Sequence, residues 1–276
     1  MLKIKAKIDE SISYIRTKTD ITPEIAIVLG TGLGALVNQV SDILEIHYSE
    51  IPNFPASTVE THAGTLVFGI IGNKKVVIMN GRLHYYEGYS MQEITFPIRV
   101  LKALGAKVLI ISNAAGSMNP YYNAGDIMII TDHINLMGDN PLIGINDDQL
   151  GPRYPDMFDA YSPDLIDLAY QTAIKEKIIA HKGVLVAVSG PNLETPAEYK
   201  FLRMIGADAV SMSTVPEVIV AIHSSMKVLG LSCLTDKCTP EVLKTSDIGE
   251  IIQVANQTEP KLTKLVSEII YQLSFD

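Results

Sequence analysis

Short apolar runs alternate along the chain with longer amphipathic segments. Several short runs, such as VLIIS at 108–112 and VLVAVS at 184–189, contain almost only aliphatic residues. Such runs are typical of strands that are covered on both faces. The pattern predicts strands at Ile25–Leu29, Gly64–Ile71, Lys75–Asn80, Lys107–Ser112, Asp126–Thr131, Gly183–Ser189, Ala207–Met212 and Lys227–Thr235.

The longer segments carry apolar residues at helical spacing. They predict helices at Lys3–Lys18, Met91–Leu104, Pro163–Lys177, Thr195–Ile205, Pro216–Ser225 and Asp247–Leu273. Thr195, Pro196 and Glu198 supply an N-cap, a proline at the first helical position and the acid of a capping box. Gly105 and Gly206 follow two of the predicted helices, where glycine favours helix termination.

The order of strands and helices predicts one α/β domain over residues 1–276 with a mixed sheet. There is no internal repeat and no linker that would divide the chain. The segment Asn135–Pro155 is rich in Gly, Pro, Asn and Asp, which predicts one long loop. Loops of this length inside a compact domain are often functional.

Composition narrows the classes of partner and location. The chain has 22 basic and 31 acidic residues, a net charge of −9, so it repels polyanions and we expect no nucleic-acid partner. No apolar run approaches the roughly 20 residues that span a bilayer, and the first 20 residues contain no continuous apolar stretch. We therefore expect no signal peptide and a cytoplasmic location.

The two cysteines indicate neither a disulfide framework nor a metal site. Cys233 and Cys238 are the only thiols of the chain, and no zinc-binding spacing surrounds them. We expect reduced thiols in or near the core.

Two segments that follow predicted strands suggest an anion site. The glycine-rich GTGLG at 30–34 allows backbone N–H groups to approach an anion, although its spacing matches neither a P-loop nor a dinucleotide fingerprint. A tight turn without any ligand explains it equally well. If the strand that ends at Asn80 continued, Arg82, His84 and Tyr86 would share one face. Arg and His side chains donate hydrogen bonds to phosphate. The alternative is that this segment is a solvated loop with an aromatic cluster.

Four further segments place polar or small residues at predicted strand ends. The small residues of Ser112–Ser117 permit backbone contact with a ligand or simply a close-packed turn. Glu194 precedes a helix, either as a dipole-favoured acid or as an acceptor for a heterocycle. Ser213 suits an anion or a sugar oxygen beside Met212, and Asp236 ends the last predicted strand. Strand ends of an open α/β sheet are where ligands bind, so these segments predict one shared site.

Together the motifs resemble the trimeric purine nucleoside phosphorylase family, which includes methylthioadenosine phosphorylases. The resemblance extends from about residue 25 to residue 237 and rests on GTGLG, THAG, GRLHYYEGY, SNAAG, DHINL, GPRYP, GPNLETPAE and GADAVSMSTVPEVIVA. It implies a mixed β-sheet that forms a distorted barrel flanked by helices. It also implies a homotrimer that uses inorganic phosphate as a co-substrate and needs no metal or cofactor.

The resemblance assigns roles to individual residues. Phosphate binding is implied for Thr31, His62, Arg82, His84, Ala114 and Ser213. Nucleoside binding is implied for Tyr86, Tyr154, Leu193, Glu194, Val210, Met212 and Asp236, with Tyr154 reaching the sugar site of a neighbouring subunit. The implied catalytic residues are His84, Glu194 and Asp236.

The implied activity is that of a pentosyltransferase in purine salvage. Phosphate would cleave the N-glycosidic bond of purine ribonucleosides or deoxyribonucleosides, giving the free base and (deoxy)ribose 1-phosphate. Positive charge develops on the sugar and negative charge on the purine, so groups that stabilise both would accelerate the reaction.

The chain departs from the family pattern at three positions. Asp236 stands where members specific for 6-oxopurines carry Asn. An ionised Asp only accepts hydrogen bonds and favours a 6-amino group, whereas a protonated Asp can also donate to a 6-oxo group, so both classes stay open. Ile248 falls near the place of a family histidine that contacts the 5′-hydroxyl, and Leu193 replaces a common aromatic residue.

Three other functions compete with this one. For a methylthioadenosine phosphorylase, Ile248 is favourable, but Cys238 and Ser213 match the nucleoside phosphorylases better. A non-catalytic nucleoside-binding protein would use the same site without turnover. A methyltransferase that binds S-adenosylmethionine would need an acid after its second strand. Glu45 matches that requirement only loosely, and Arg82 and His84 would have no role.

Overall fold

The computed structural model describes residues 4–30, 34–55, 64–239 and 247–275. Its strands are β1 Ile25–Val28, β2 Ser41–His47, β3 Thr65–Ile71, β4 Lys74–Asn80, β5 Val108–Ser117, β6 Ile127–Asn135, β7 Ala180–Ala187, β8 Ala209–Ser211 and β9 Lys227–Lys237. Its α-helices are α1 Ile4–Arg16, α2 Met91–Leu104, α3 Pro163–Lys175, α4 Pro196–Met204, α5 Val215–His223 and α6 Ile248–Gln272.

The strands form one mixed sheet that closes on itself over part of its width. The hydrogen-bonded order is β2-β3-β4-β1-β5-β8-β7-β6-β9, and β9 also pairs with β5. Strands β5 to β9 therefore form a barrel, and β1 to β4 extend from it as an open flange. This confirms the α/β class and the distorted barrel.

Strand β5 belongs to both parts of the sheet. Its first half pairs in parallel with β1, from Val108 opposite Ile25 to Ile111 opposite Val28. Its last two residues pair antiparallel with β8, and a register shift after Ala115 interrupts its pairing with β9. Small side chains at the end of this strand allow its backbone to face the site described below.

Strand β2 was missed by the sequence pattern. Its residues are mostly exposed, and only Ile46 is buried. It lies at the edge of the sheet, where it pairs with β3 alone. A strand without a buried face carries little hydrophobic alternation, so the pattern gave no signal.

The strand before Arg82 ends at Asn80, as predicted, and does not continue into a face that Arg82, His84 and Tyr86 would share. Strand β4 ends at Asn80, because Gly81 has φ 114°, a conformation that favours glycine. The carbonyl of Gly81 accepts a hydrogen bond from the buried Tyr48 hydroxyl at 2.7 Å. A short 3₁₀ turn at Tyr85–Glu87 follows. Arg82, His84 and Tyr86 therefore come together through a turn.

Two other predictions are confirmed. Cys233 and Cys238 are free, buried thiols. The segment between β6 and α3 contains neither helix nor strand, as its composition predicted. Among the residues described, none of the helices combines the length and apolar character that crossing a membrane requires.

Candidate active site

A cavity of about 600 Å³ lies where β5 passes from the flange into the barrel. The ends of β1, β4, β5, β8 and β9 form its floor, and α6 forms one wall. Of the residues singled out in the sequence, the cavity brings together Arg82, His84, Tyr86, Ala114, Leu193, Glu194, Val210, Met212, Ser213 and Asp236. Thr31 and His62 lie outside the described residues.

One end of the cavity is cationic. Arg82 is only 2% exposed, and its Nη1 donates hydrogen bonds to Ser213 Oγ at 2.6 Å and Thr214 Oγ1 at 3.1 Å. Its Nε lies 3.6 Å from Oε1 of the buried Glu217. Burial lowers the pKa of Arg82 and the charge of Glu217 opposes that effect. A guanidinium keeps its proton in proteins, so the positive charge at this end is permanent.

The start of α5 supports the same end. Thr214 is fully buried and has φ 79°, a strained conformation for a residue other than glycine. Asn113 Nδ2 donates to Thr214 Oγ1 at 2.8 Å, which helps to hold this turn in place. Because α5 begins directly after Thr214, the positive end of its dipole points toward Ser213 and Arg82.

The His84 ring is oriented by Glu87. Oε1 of Glu87 accepts a hydrogen bond from the His84 backbone N–H at 2.7 Å and lies 3.1 Å from the ring Nδ1. The ring also stacks on Tyr86, with centroids 4.7 Å apart and an interplanar angle of 15°. Burial raises the pKa of Tyr86, which therefore stays a neutral phenol. Arg82 and His84 thus flank one end of the cavity beside an aromatic face.

The other end carries two carboxyl groups. Burial is the main cause that raises the pKa of Glu194; a hydrogen bond from Tyr199 lowers it, and the nearby Asp236 raises it. Asp236 accepts hydrogen bonds at both oxygens, from Thr235 Oγ1 to Oδ1 at 2.9 Å and from Cys238 Sγ to Oδ2 at 2.9 Å. Val210 and Leu193 provide apolar surface beside these acids. The arrangement suits a flat heterocycle with polar edges.

Helix α6 closes the side of the cavity with apolar residues. Ile248, Ile251 and Ile252 lie along this wall. Farther along the helix, Oε1 of Glu259 accepts a hydrogen bond from the Ala35 backbone N–H at 2.8 Å. That contact joins α6 to the chain that follows β1.

Tyr154 does not line the cavity of its own chain. It lies in the loop between β6 and α3 and is 86% exposed. The guanidinium of Arg153 lies over its ring, 5.7 Å from the ring centroid.

Several residues of the site escaped the sequence reasoning. Asn113 and Thr214 support Arg82 and Ser213 through buried hydrogen bonds that join distant parts of the chain. Glu217 gave one usable signal, since it is the single charged residue in the apolar VPEVIVA of α5. Tyr199 is three residues past Pro196, and nothing in the sequence marks it as a neighbour of Glu194.

The part of the chain that the structure describes contains no group of three or more His, Cys, Asp or Glu side chains that could hold a metal ion.

Comparison with known proteins gives the class. A family model described as the phosphorylase superfamily matches residues 24–271. The chain therefore belongs to the phosphorylase superfamily.

Similar proteins within that superfamily carry the name purine nucleoside phosphorylase. Purine nucleoside phosphorylase 1 of Bacillus subtilis (strain 168) is 48% identical over 269 residues, which cover 98% of this chain and 99% of that protein. A crystal structure of schistosoma purine nucleoside phosphorylase in complex with hypoxanthine has a TM-score of 0.95 at 38% identity and covers 100% of both chains. The Schistosoma mansoni enzyme in complex with adenosine gives 0.93 at 39% identity, with 98% of each chain covered.

Proposed function

We propose that this protein is a purine nucleoside phosphorylase, a pentosyltransferase that uses inorganic phosphate to cleave the N-glycosidic bond of purine nucleosides. The observation that carries the proposal is the division of one cavity into a cationic end, with Arg82, and an acidic end, with Glu194 and Asp236. Relatives of nearly full length bear this name, and solved neighbours hold hypoxanthine and adenosine.

Phosphate fits the cationic end. Arg82 offers a charged planar donor, Ser213 a hydroxyl and Ala114 its backbone, and His84 stands next to them. Arg82 and the N-terminus of α5 both favour an anion there. Thr31 and His62 complete this set by resemblance to the family.

The nucleoside fits between phosphate and the acids. Tyr86 and Met212 suit the faces of the sugar, while Val210 and Leu193 suit the faces of the base. An ionised Glu194 accepts a hydrogen bond from the N1–H of a 6-oxopurine, and a protonated Glu194 donates to the bare N1 of adenine. Burial raises the pKa of Glu194, so its protonated form persists to higher pH than in an exposed glutamate.

The chemistry follows from this placement. The bond from C1′ to N9 breaks and a phosphate oxygen bonds to C1′, while the proton of the hydrogen phosphate ends on the purine. The products are therefore the free purine and (deoxy)ribose 1-phosphate. The bound dianion stabilises the positive charge that develops on the sugar. Polar groups at the acidic end stabilise the departing purine, where loss of one such contact typically costs about 100- to 1000-fold in rate. The reaction as proposed needs no metal and no cofactor.

A second candidate, methylthioadenosine phosphorylase activity, is favoured by the wall of α6. Ile248, Ile251 and Ile252 offer apolar surface where a 5′-thioether would be accommodated better than a 5′-hydroxyl. Asp236 is compatible with the 6-amino group of that substrate.

The assembly and the location are also part of the proposal. We propose a homotrimer in which Tyr154 reaches the sugar site of a neighbouring subunit; its high exposure outside its own cavity supports this. The lack of a membrane-spanning helix among the described residues is compatible with a cytoplasmic enzyme.

A substrate panel tests the function. Inosine, guanosine, adenosine and methylthioadenosine are each incubated with the purified protein, with and without phosphate, and base release is measured. We expect release that depends on phosphate and yields a sugar 1-phosphate. Binding without turnover would identify a nucleoside-binding protein, and faster cleavage of methylthioadenosine than of all three nucleosides would favour the second candidate.

A further inference from the structure

A thiol holds one of the two carboxyl groups of the cavity. Cys238 is 2% exposed, and its Sγ donates to Oδ2 of Asp236 at 2.9 Å. The Cys238 backbone N–H donates to the carbonyl of Ser117 at 2.7 Å, which fixes the position of the thiol relative to β5. Thr235 Oγ1 occupies the other carboxylate oxygen.

The thiol is also connected to the second carboxyl group. The hydroxyl of the buried Tyr199 hydrogen-bonds to both Glu194 and Cys238. Since a phenol has one hydrogen, it donates to one of them at a time. The order of contacts is therefore Glu194, Tyr199, Cys238, Asp236 and Thr235, and it joins the two acids through neutral side chains.

The end of β5 leaves room for this arrangement. A Cβ atom at Gly116 would lie 2.7 Å from Cys238 Sγ and 3.5 Å from Asp236 Oδ2. Glycine at this position lets the thiol and the carboxylate pack directly on the strand.

Given the proposed function, we propose that Cys238 is a positioning residue that sets the purine preference, by holding Asp236 as an acceptor for a 6-amino group. The donors Thr235 and Cys238, one on each oxygen, fix the orientation of the Asp236 carboxylate. Each oxygen keeps a further lone pair that can accept from a 6-amino group, whereas a 6-oxo group would need a donor. Burial and the charge of Asp236 raise the pKa of Cys238, so the thiol stays protonated and able to donate.

The proposal is tested with matched cysteine variants. Cys238→Ala and Cys238→Val both remove the hydrogen-bond donor; alanine is smaller than cysteine and valine is of similar size. Cys238→Ser keeps a donor in the form of a hydroxyl. Cys233→Ala is the control, since Cys233 is a buried thiol on β9, the strand that ends just before Cys238, and does not line the cavity. For each, kcat/KM is measured for adenosine and for inosine, together with the KM for phosphate and the melting temperature.

The expected result is a change in preference. The ratio of kcat/KM for adenosine to that for inosine falls about fivefold in the two donor-less variants, as loss of one hydrogen bond predicts. It returns to within about twofold of wild type in Cys238→Ser, stays unchanged in Cys233→Ala, and the KM for phosphate does not move.

Other outcomes would overturn the inference. If Cys238 had a purely structural role, the folded variants among Cys238→Ala and Cys238→Val would lose activity toward adenosine and inosine equally. Their ratio of kcat/KM would then stay unchanged. A wild-type protein that cleaves inosine and not adenosine would also contradict it, while the proposed phosphorylase would stand. Absence of phosphate-dependent cleavage of every nucleoside would refute the proposed function itself.

Discussion

The guanidinium of Arg82 and the carboxylate of Glu217 form a buried ion pair beneath the cationic end of the cavity. Arg82 Nε lies 3.6 Å from Glu217 Oε1, and their side chains are 2% and 4% exposed. The other contacts of Arg82 include the hydroxyls of Ser213 and Thr214. Glu217 thus compensates a buried charge, while Nη1 donates to Ser213, a residue that lines the proposed phosphate site.

Removal of Glu217 should destabilise the protein strongly. Glu217→Ala leaves the Arg82 charge buried without its carboxylate, which we expect to lower the free energy of unfolding by about 3–5 kcal/mol. Denaturant or thermal unfolding measures the change. Asp167→Ala serves as the control, because it removes an exposed pair with Lys182 and should cost less than about 1 kcal/mol. Equal effects of the two changes would show that Glu217 does not compensate Arg82.

Phosphate affinity should depend on the shape of Arg82 as well as its charge. Arg82→Lys keeps a cation beside Glu217 and removes the planar fork, so we expect the apparent KM for phosphate to rise at least tenfold. The KM for the nucleoside should change much less. Arg99→Lys is the matched control, since Arg99 is also buried but lines a separate cavity near His223. Unchanged phosphate dependence in Arg82→Lys would remove Arg82 from the phosphate site.

The acid limb of the pH profile, where kcat/KM falls at low pH, should reflect protonation of Glu194. With inosine as substrate, Glu194 must be ionised, so kcat/KM is lost as the pH falls through its pKa. Burial raises that pKa above the ordinary 4.5. The hydrogen bond from Tyr199 favours the ionised form, so Tyr199→Phe should raise the pKa further and shift the acid limb to higher pH. The measurement is kcat/KM for inosine between about pH 4 and 8.

A second tyrosine provides the comparison for that experiment. Tyr122 is also largely buried, and its hydroxyl donates to the carbonyl of Lys182 away from the cavity. Tyr122→Phe should leave the acid limb where it is in wild type. A limb that stays fixed in Tyr199→Phe as well would mean that another group controls it.

Asp236 should determine which purines are cleaved. Asp236→Asn provides an amide that donates to a 6-oxo group, so we expect the preference to move toward inosine and guanosine by about 10- to 100-fold. The ratio of kcat/KM for inosine to that for adenosine measures this change. A constant ratio would show that Asp236 does not contact the C6 substituent.

Whether the sequence predicted a strand depended on how far that strand is buried. Strands with continuous aliphatic runs, such as β5 and β9, were found, because burial on both faces requires those runs. The predicted end of β5 at Ser112 falls short of the observed end at Ser117, since the small residues between them lack the aliphatic pattern. The edge strand β2 was missed since its exposed residues follow no such pattern. The end of β4 at Asn80 was predicted, but a continuation of the strand stayed open, because alternation in GRLHYY does not reveal that Gly81 adopts a left-handed φ.

The sequence predicted the site residues that belong to conspicuous motifs. It did not predict the residues that support them from elsewhere in the chain. Arg82, Glu194 and Asp236 stand in short conspicuous segments at strand ends, and they do line one cavity. Glu217 and Tyr199 act on those residues from other helices, through contacts that only the folded chain creates. Sequence spacing carries no information about such pairs.

The shared strand β5 constrains how this enzyme can change its substrates. Asn113, at the cationic end, and Gly116, beside Asp236, are three residues apart on one extended backbone, a span of about 10 Å. Both residues belong to one strand, so the reach from oxyanion to heterocycle is set by peptide geometry. New substrate ranges must therefore arise by exchange of side chains around a fixed frame, at residues such as Ile248 and Cys238.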